Sequence, residues 1–137
     1  MSVPTIVDTS VWIEVLRDGS MERRRQLESV VDPEDVVLTP FTQLELLQGC
    51  RDEDEWALLA SYLEGQEYIE PTRSTWAAAA RIYFDLRRTG KTVRSPIDCC
   101  IAQLAIDGKT HLLHRDRDFE VISHIRPLQQ RFLHWES

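Results

Sequence analysis

Val3-Pro4-Thr5-Ile6-Val7-Asp8-Thr9-Ser10-Val11-Trp12-Ile13 sets the plan that the rest of the chain repeats. Val3 to Val7 is a short apolar run, too short for a helix but long enough for a buried strand. Pro4 stands at its start, where a strand tolerates proline. Asp8 closes the run. Thr9 and Ser10 then offer a helix N-cap, and Val11, Trp12, Ile13, Val15 and Leu16 supply the apolar face of the helix that follows.

The same order recurs along the chain. Gly19 stops the first helix, and a polar, arginine-rich helix runs from Met21 to about Val31. Val36-Val37-Leu38 form a second buried strand, and Thr39-Pro40 open a helix carrying Leu44, Leu46 and Leu47 that Gly49 ends. Residues 53–64 place Trp56, Leu59 and Leu63 at helical spacing, and a brief strand near Tyr68 and Ile69 leads to Pro71. Trp76, Ala79, Ala80, Tyr83 and Leu86 then make one helical stripe. Ser95-Pro96 start another helix, with Ile97, Ile101, Leu104 and Ala105 turned inward and Gly108 at its end. Leu112-Leu113 mark a strand, Asp116 to Ser123 a turn and short helix, and Leu128 a last strand. This alternation predicts an α/β fold with a parallel sheet between two helical layers. No repeat or linker interrupts it, and 137 residues suit a single domain over 1–137.

Composition narrows the function. Hydrophobic residues make up 42% and charged residues 28%, which excludes wholesale disorder and low-complexity classes. With 16 Lys and Arg against 23 Asp and Glu, the net charge is −7. Bulk positive charge therefore does not hold this chain to nucleic acid. If it acts on nucleic acid, the acids belong at a metal site and the bases elsewhere. Cys50, Cys99 and Cys100 fit neither a disulfide framework nor a zinc spacing and are expected to be reduced, packed thiols. Asp8 arrives before a signal-peptide core could form, and no apolar run is long enough to span a bilayer. These features predict a soluble cytoplasmic protein with no membrane partner.

Four acids occupy comparable places in this plan. Asp8 follows the first strand, Glu45 lies in the helix after the second, and Asp98 lies in the first turn of a later helix. Asp116 follows the strand at Leu112, with Asp118 two residues on. In an open parallel sheet the residues beyond the strands' carboxyl ends share one edge, where ligands bind at the switch point. Carboxylates gathered there repel one another unless a cation sits among them, and hard oxygen ligands suit Mg²⁺ or Mn²⁺. The chemistry that fits is hydrolysis of a phosphodiester.

Each acid also has a local alternative. Asp8 could cap the first helix. Thr42-Gln43-Leu44-Glu45 and Ser95-Pro96-Ile97-Asp98 both fit a capping box, and Asp116 or Asp118 could cap the short helix that follows. Thr9 and Ser10 are candidates to hold a water or phosphate oxygen, with capping as the rival role. Arg87, Arg88, Lys91 and Arg94 form a basic connection able to grip an RNA backbone, or a solvated helix end favoured by the macrodipole. Arg23, Arg24 and Arg25 read as a solvated or partner-facing surface. His111 and His114 fall on opposite faces of a regular strand. Trp12, Trp56 and Trp76 are expected to pack, and Trp135 to make a tail contact.

Val7-Asp8-Thr9-Ser10-Val11-Trp12-Ile13-Glu14 resembles the opening of PIN-domain toxins of the VapC type. Thr42 to Gly49 is similar to their second motif, Val93 to Ala102 to their third, and Leu113 to Glu120 to their fourth. The resemblance spans nearly the whole chain, in the family's order. It implies a PIN-like three-layer α/β/α domain with a central five-stranded parallel sheet. It implies an Mg²⁺- or Mn²⁺-dependent endoribonuclease, the toxin of a toxin–antitoxin pair, that cuts structured RNA such as tRNA or rRNA and stops translation. The implied products carry 5′-phosphate and 3′-hydroxyl ends. The implied partners are a VapB-type antitoxin that blocks the acidic pocket and a second copy in a homodimer. The matched acids are Asp8, Glu45, Asp98 and Asp116, with Asp118 a secondary ligand. His114 departs from the small hydroxyl residue that many members carry there.

Two other readings remain open. One is a PIN-like module that binds RNA or a partner without cutting. The other is a receiver-type phosphate acceptor, but that class needs an acidic pair before the first helix and a lysine after a late strand. This chain offers a lone Asp8 and Arg115.

Overall fold

The computed structural model describes residues 2–136. Five strands, β1 (Thr5–Val7), β2 (Val36–Leu38), β3 (Glu67–Tyr68), β4 (His111–His114) and β5 (Gln130–Phe132), form one all-parallel sheet in the order β3-β2-β1-β4-β5. Seven helices accompany them: α1 (Thr9–Arg17), α2 (Glu22–Val30), α3 (Pro40–Gln48), α4 (Glu53–Glu64), α5 (Arg73–Arg88), α6 (Pro96–Gly108) and α7 (Asp118–Ser123). A 3-10 turn spans Pro33–Asp35.

Side-chain alternation along the strands sorts the core into two layers. Ile6 pairs in register with Val37 on one side and Leu112 on the other. That row packs against Ile82 and Leu86 of α5, Ile101 and Leu104 of α6, and Phe119 and Ile122 of α7. Val7, Val36, Leu38 and Leu113 face the opposite way, onto Val11, Trp12 and Val15 of α1, Leu27 of α2, Leu46 of α3 and Leu63 of α4. Both faces of the central strands β1, β2 and β4 are covered, which is why Ile6-Val7, Val36-Val37-Leu38 and Leu112-Leu113 read as apolar runs.

Several local expectations shift. The stripe of α5 is Thr75, Ala79, Ile82 and Leu86. Trp76 lies 54% exposed and Trp56 47% exposed, so neither is a core residue. Trp76 still meets Phe41 edge-on, with ring centroids 5.5 Å apart. Leu44 is likewise exposed, while Trp12 is buried as expected. The α2 helix begins at Glu22, because Met21 takes a left-handed φ of 67° ahead of it. The α6 helix ends at Gly108 as expected, and Lys109, left-handed with φ 52°, is its C-cap. The last strand lies at 130–132, two residues past Leu128, whose side chain is buried in the core.

The topology has one consequence for function. The chain builds outward from β1 to β2 and β3, then crosses back to lay β4 on the other side of β1. The switch point is thus the crevice between the carboxyl ends of β1 and β4, where a ligand site is expected.

Candidate active site

Asp8 and Asp116 stand on the two lips of that crevice. Asp8 follows β1, and its backbone N–H donates to the Leu113 carbonyl on β4 at 2.9 Å, stitching the two strand ends together. The Asp8 side chain caps α1. Its Oδ2 accepts from the Ser10 N–H at 3.0 Å and from the Ser10 hydroxyl at 2.6 Å. The Ser10 hydroxyl oxygen accepts in turn from the Arg115 N–H at 2.9 Å. Only 4% of Asp8 is exposed. Burial pushes its carboxyl above the ordinary range against the lowering effect of the two Ser10 bonds, and the charge of Asp116 adds to the rise.

Glu45 projects from α3, whose start excludes a capping-box role. Thr39 is the N-cap, its hydroxyl accepting from the Thr42 N–H at 3.1 Å, and Pro40 takes the first helical position. Glu45 therefore sits in the middle of the helix, where its Oε1 accepts from the Thr9 hydroxyl at 2.9 Å. Burial raises the Glu45 pKa, Thr9 opposes the rise, and Asp8 and Asp116 reinforce it.

Asp98 occupies the first turn of α6. Ser95 caps that helix, with its hydroxyl accepting from the Ile97 N–H at 3.1 Å. The reciprocal bond of a capping box, from the Ser95 N–H to Asp98, is not made among the described residues. Asp98 instead turns to the acids. Burial, then the charges of Asp116 and Asp8, push its pKa up to about 8, and it shares a hydrogen bond with Asp116. Carboxylate oxygens of Asp98, Asp116 and Asp118 lie within 4.8 Å of one another, close enough to share one cation.

Arg94 holds that position electrostatically. Its Nη2 donates to Asp116 Oδ1 at 3.0 Å and its Nε to Asp118 Oδ2 at 3.4 Å, while its backbone N–H reaches Asp118 Oδ2 at 3.0 Å. The side chain is 79% exposed, so the guanidinium can leave. Of the four basic residues expected to grip RNA, Arg94 alone bonds the acids among the described residues. Arg87 lies over the Tyr83 ring and Arg88 over the Phe84 ring, both on α5, and Lys91 is exposed in the connection.

Thr9 and Ser10 are already engaged with Glu45 and Asp8, so they orient acids. Arg115 points away from the crevice, paired with Glu14 and bonded to the Leu133 carbonyl at 2.6 Å. Arg115 therefore does not supply the cation that a receiver-type site would need. His114 is buried, its pKa lowered by burial, and it contacts the Asp116 backbone. The motif pattern did not point to that contact; a histidine two residues before an acid was its only signal. Cys99 is a packed thiol, pushed up to about 12 by burial and inert at neutral pH.

Comparison with known proteins identifies the family. The profile of the PIN domain matches residues 5–125. The chain is similar to Ribonuclease VapC11 of Mycobacterium tuberculosis, 35% identical over 129 residues, covering 90% of this chain and 95% of that protein. Its fold is similar to that of VapBC2 from Rickettsia felis bound to a DNA fragment from their promoter, with a TM-score of 0.73, 16% identity, and coverage of 93% and 97%. A toxin–antitoxin complex from Klebsiella pneumoniae matches with a TM-score of 0.71, 14% identity, and coverage of 97% and 99%. The chain belongs to the PIN-domain family and, within it, to the VapC group.

Proposed function

We propose that this protein is a metal-dependent endoribonuclease that serves as the toxin of a toxin–antitoxin pair and hydrolyses phosphodiester bonds in structured RNA, tRNA or rRNA. The observation that carries the reading is the convergence of acids from four separate elements on the β1–β4 switch point. Three of them hold oxygens within 4.8 Å of one another. The donor set is all carboxylate, which fits Mg²⁺ or Mn²⁺, and Arg94 already balances its charge as a cation would. Asp98, Asp116 and Asp118 would hold the ion, with Asp8 anchoring it from the other lip. A divalent ion bound there supplies Lewis-acid stabilisation of charge on the phosphate.

The chain's own residues do the rest. Glu45, kept basic by burial and aimed by Thr9, accepts a proton from the attacking water. With water as nucleophile and the bond from phosphorus to the ribose 3′ oxygen broken, the products carry 5′-phosphate and 3′-hydroxyl ends. Arg94, once released, faces incoming phosphate, and Arg87, Arg88 and Lys91 extend that grip along the backbone. The active unit is one domain, acts in the cytoplasm as a homodimer, and is restrained by a VapB-type antitoxin over the acidic pocket. Among the described residues no helix is long and apolar enough to cross a membrane.

The test is cleavage of total RNA with Mn²⁺ and with excess chelator, followed by sequencing of the RNA ends. Metal-dependent cuts at a defined site support the reading. Intact RNA, bound but uncut in Mn²⁺, would make the protein a binding module.

A further inference from the structure

His114 closes β4 and is fully buried. A buried imidazole needs partners for both nitrogens. The Asp116 backbone N–H donates to Nδ1 at 3.1 Å, and Nε2 lies 2.6 Å from Gln130 Oε1 on β5. The first contact decides the second. A backbone N–H can only donate, so Nδ1 carries a lone pair, and the ring proton sits on Nε2 and is donated to the Gln130 amide oxygen. The ring is also gripped by Phe119 and Phe132, with centroids 5.0 and 5.7 Å away. The His114 carbonyl accepts from the Leu133 N–H at 2.8 Å, so ring and backbone are both tied to the β5 segment.

That rigidity is passed on. With its N–H fixed, Asp116 turns its Oδ1 to accept from the Asp118 N–H at 2.9 Å, which sets the start of α7. We propose that His114, oriented by Gln130, is a positioning residue that fixes the Asp116–Asp118 turn and thereby aims both carboxylates at the cation site. This rests on the metal-dependent reading above. It gives the buried His114 and its half-buried partner Gln130 a role that packing does not require, since an apolar residue would fill the space of the ring without needing two polar partners.

The decisive comparison is His114→Thr against His114→Val. The two side chains leave a cavity of the same size, so the loss from packing cancels between them and the difference that remains is the hydroxyl. Only the threonine hydroxyl can accept from the N–H two residues on. Mn²⁺ binding, measured by calorimetry, is expected to be about tenfold or more weaker in the valine variant than in the threonine variant, the scale on which partners behind a metal ligand act. The Asp116 amide is expected to stay protected from hydrogen exchange with threonine and to lose protection with valine. Equal affinity and equal protection would overturn the proposal. The unmutated protein gives a check that does not depend on folding of any variant: its imidazole ¹⁵N spectrum must show a bare Nδ1 and a protonated Nε2. A protonated Nδ1 would also overturn it. Unmutated protein that binds no Mn²⁺ would defeat the metal reading, and the spectrum and exchange data would still decide whether His114 fixes the turn.

Discussion

Asp98 makes metal binding depend on pH. Its carboxyl is buried beside Asp116 and Asp8 and keeps its proton up to about pH 8. A cation and that proton compete for the same oxygens, so raising the pH favours the metal. At pH 7 about one Asp98 in ten is ionised, and at pH 6 about one in a hundred. Mn²⁺ affinity is therefore expected to rise by about tenfold per pH unit between 6 and 7, to flatten above 8, and to release about one proton per ion. Calorimetry in two buffers of different ionisation enthalpy measures affinity and counts the protons. Asp98→Asn removes the titrating group and should lower the slope by about one. The metal-free protein should show the opposite trend. Folded Asp98 holds a proton that the unfolded chain releases near 3.8, so its contribution to stability is full below that value and is lost as pH rises toward 8. The melting temperature in chelator should fall over that window, less steeply in Asp98→Asn. A pH-independent Mn²⁺ affinity between 6 and 8, or the same slope in the variant, would refute the assignment.

Three further outcomes follow from the geometry. Ser95→Ala removes the α6 cap but leaves every acid in place, so it should cost about 1 kcal/mol in chemical denaturation and keep RNA cleavage; Asp98→Asn should stay folded and lose about 10²–10³ in cleavage rate. Arg94→Ala frees oxygens of Asp116 and Asp118 and is expected to tighten Mn²⁺ binding by about two- to fivefold, the range an exposed ion pair supports, while weakening RNA binding. Calorimetry that finds weaker Mn²⁺ binding instead would mean that Arg94 holds the acids in place. Arg87→Ala with Lys91→Ala should leave Mn²⁺ affinity unchanged and reduce the salt slope of RNA binding by about 0.7–0.9 for each phosphate that the variant no longer neutralises; an unchanged slope would assign both residues to solvent.

The centre of the sheet was legible because a parallel strand buried on both faces must be apolar. Val36-Val37-Leu38 and Leu112-Leu113 therefore stand out from the polar connections around them, whereas the edge strands β3 and β5 carry Glu67, Gln130 and Arg131 and stand out less. The helix faces were less legible. On α5, Ala79 and Leu86 are buried as expected and Tyr83 packs half-buried, but Trp76 and Ala80 face out while Thr75 and Ile82, one residue from expected stripe positions, are buried instead. Hydrophobicity cannot place a stripe when both edges of it are apolar; only packing against the sheet can. The boundary error at Met21 has another cause. It is a left-handed non-glycine residue, a conformation that sequence assigns by default to glycine.

The candidate site shows why capping and chemistry were hard to separate from residue types alone. The two roles draw on the same groups, since a helix beginning at a strand's carboxyl end needs an oxygen acceptor at the edge where a parallel sheet gathers its ligands. Asp8 plays both parts: one oxygen caps α1 through Ser10, while its burial and its neighbours lift its pKa. Glu45 and Asp98 separate the roles. Thr39 and Ser95 supply the caps of α3 and α6, leaving both acids without a local partner to explain their burial. A carboxyl whose pKa is raised by burial beside other acids is a loss to folding that no helix end recovers, so its compensation must come from something bound. The same reasoning separates Arg94 from Arg87 and Arg88. All three belong to one basic stretch in the sequence, but only the residue nearest α6 reaches Asp116 and Asp118, because the backbone N–H of Arg94 is itself bonded to Asp118. What sequence spacing could not carry was this long-range pairing of Arg94 with Asp118, and it is this pairing that brings a basic residue into the acidic crevice.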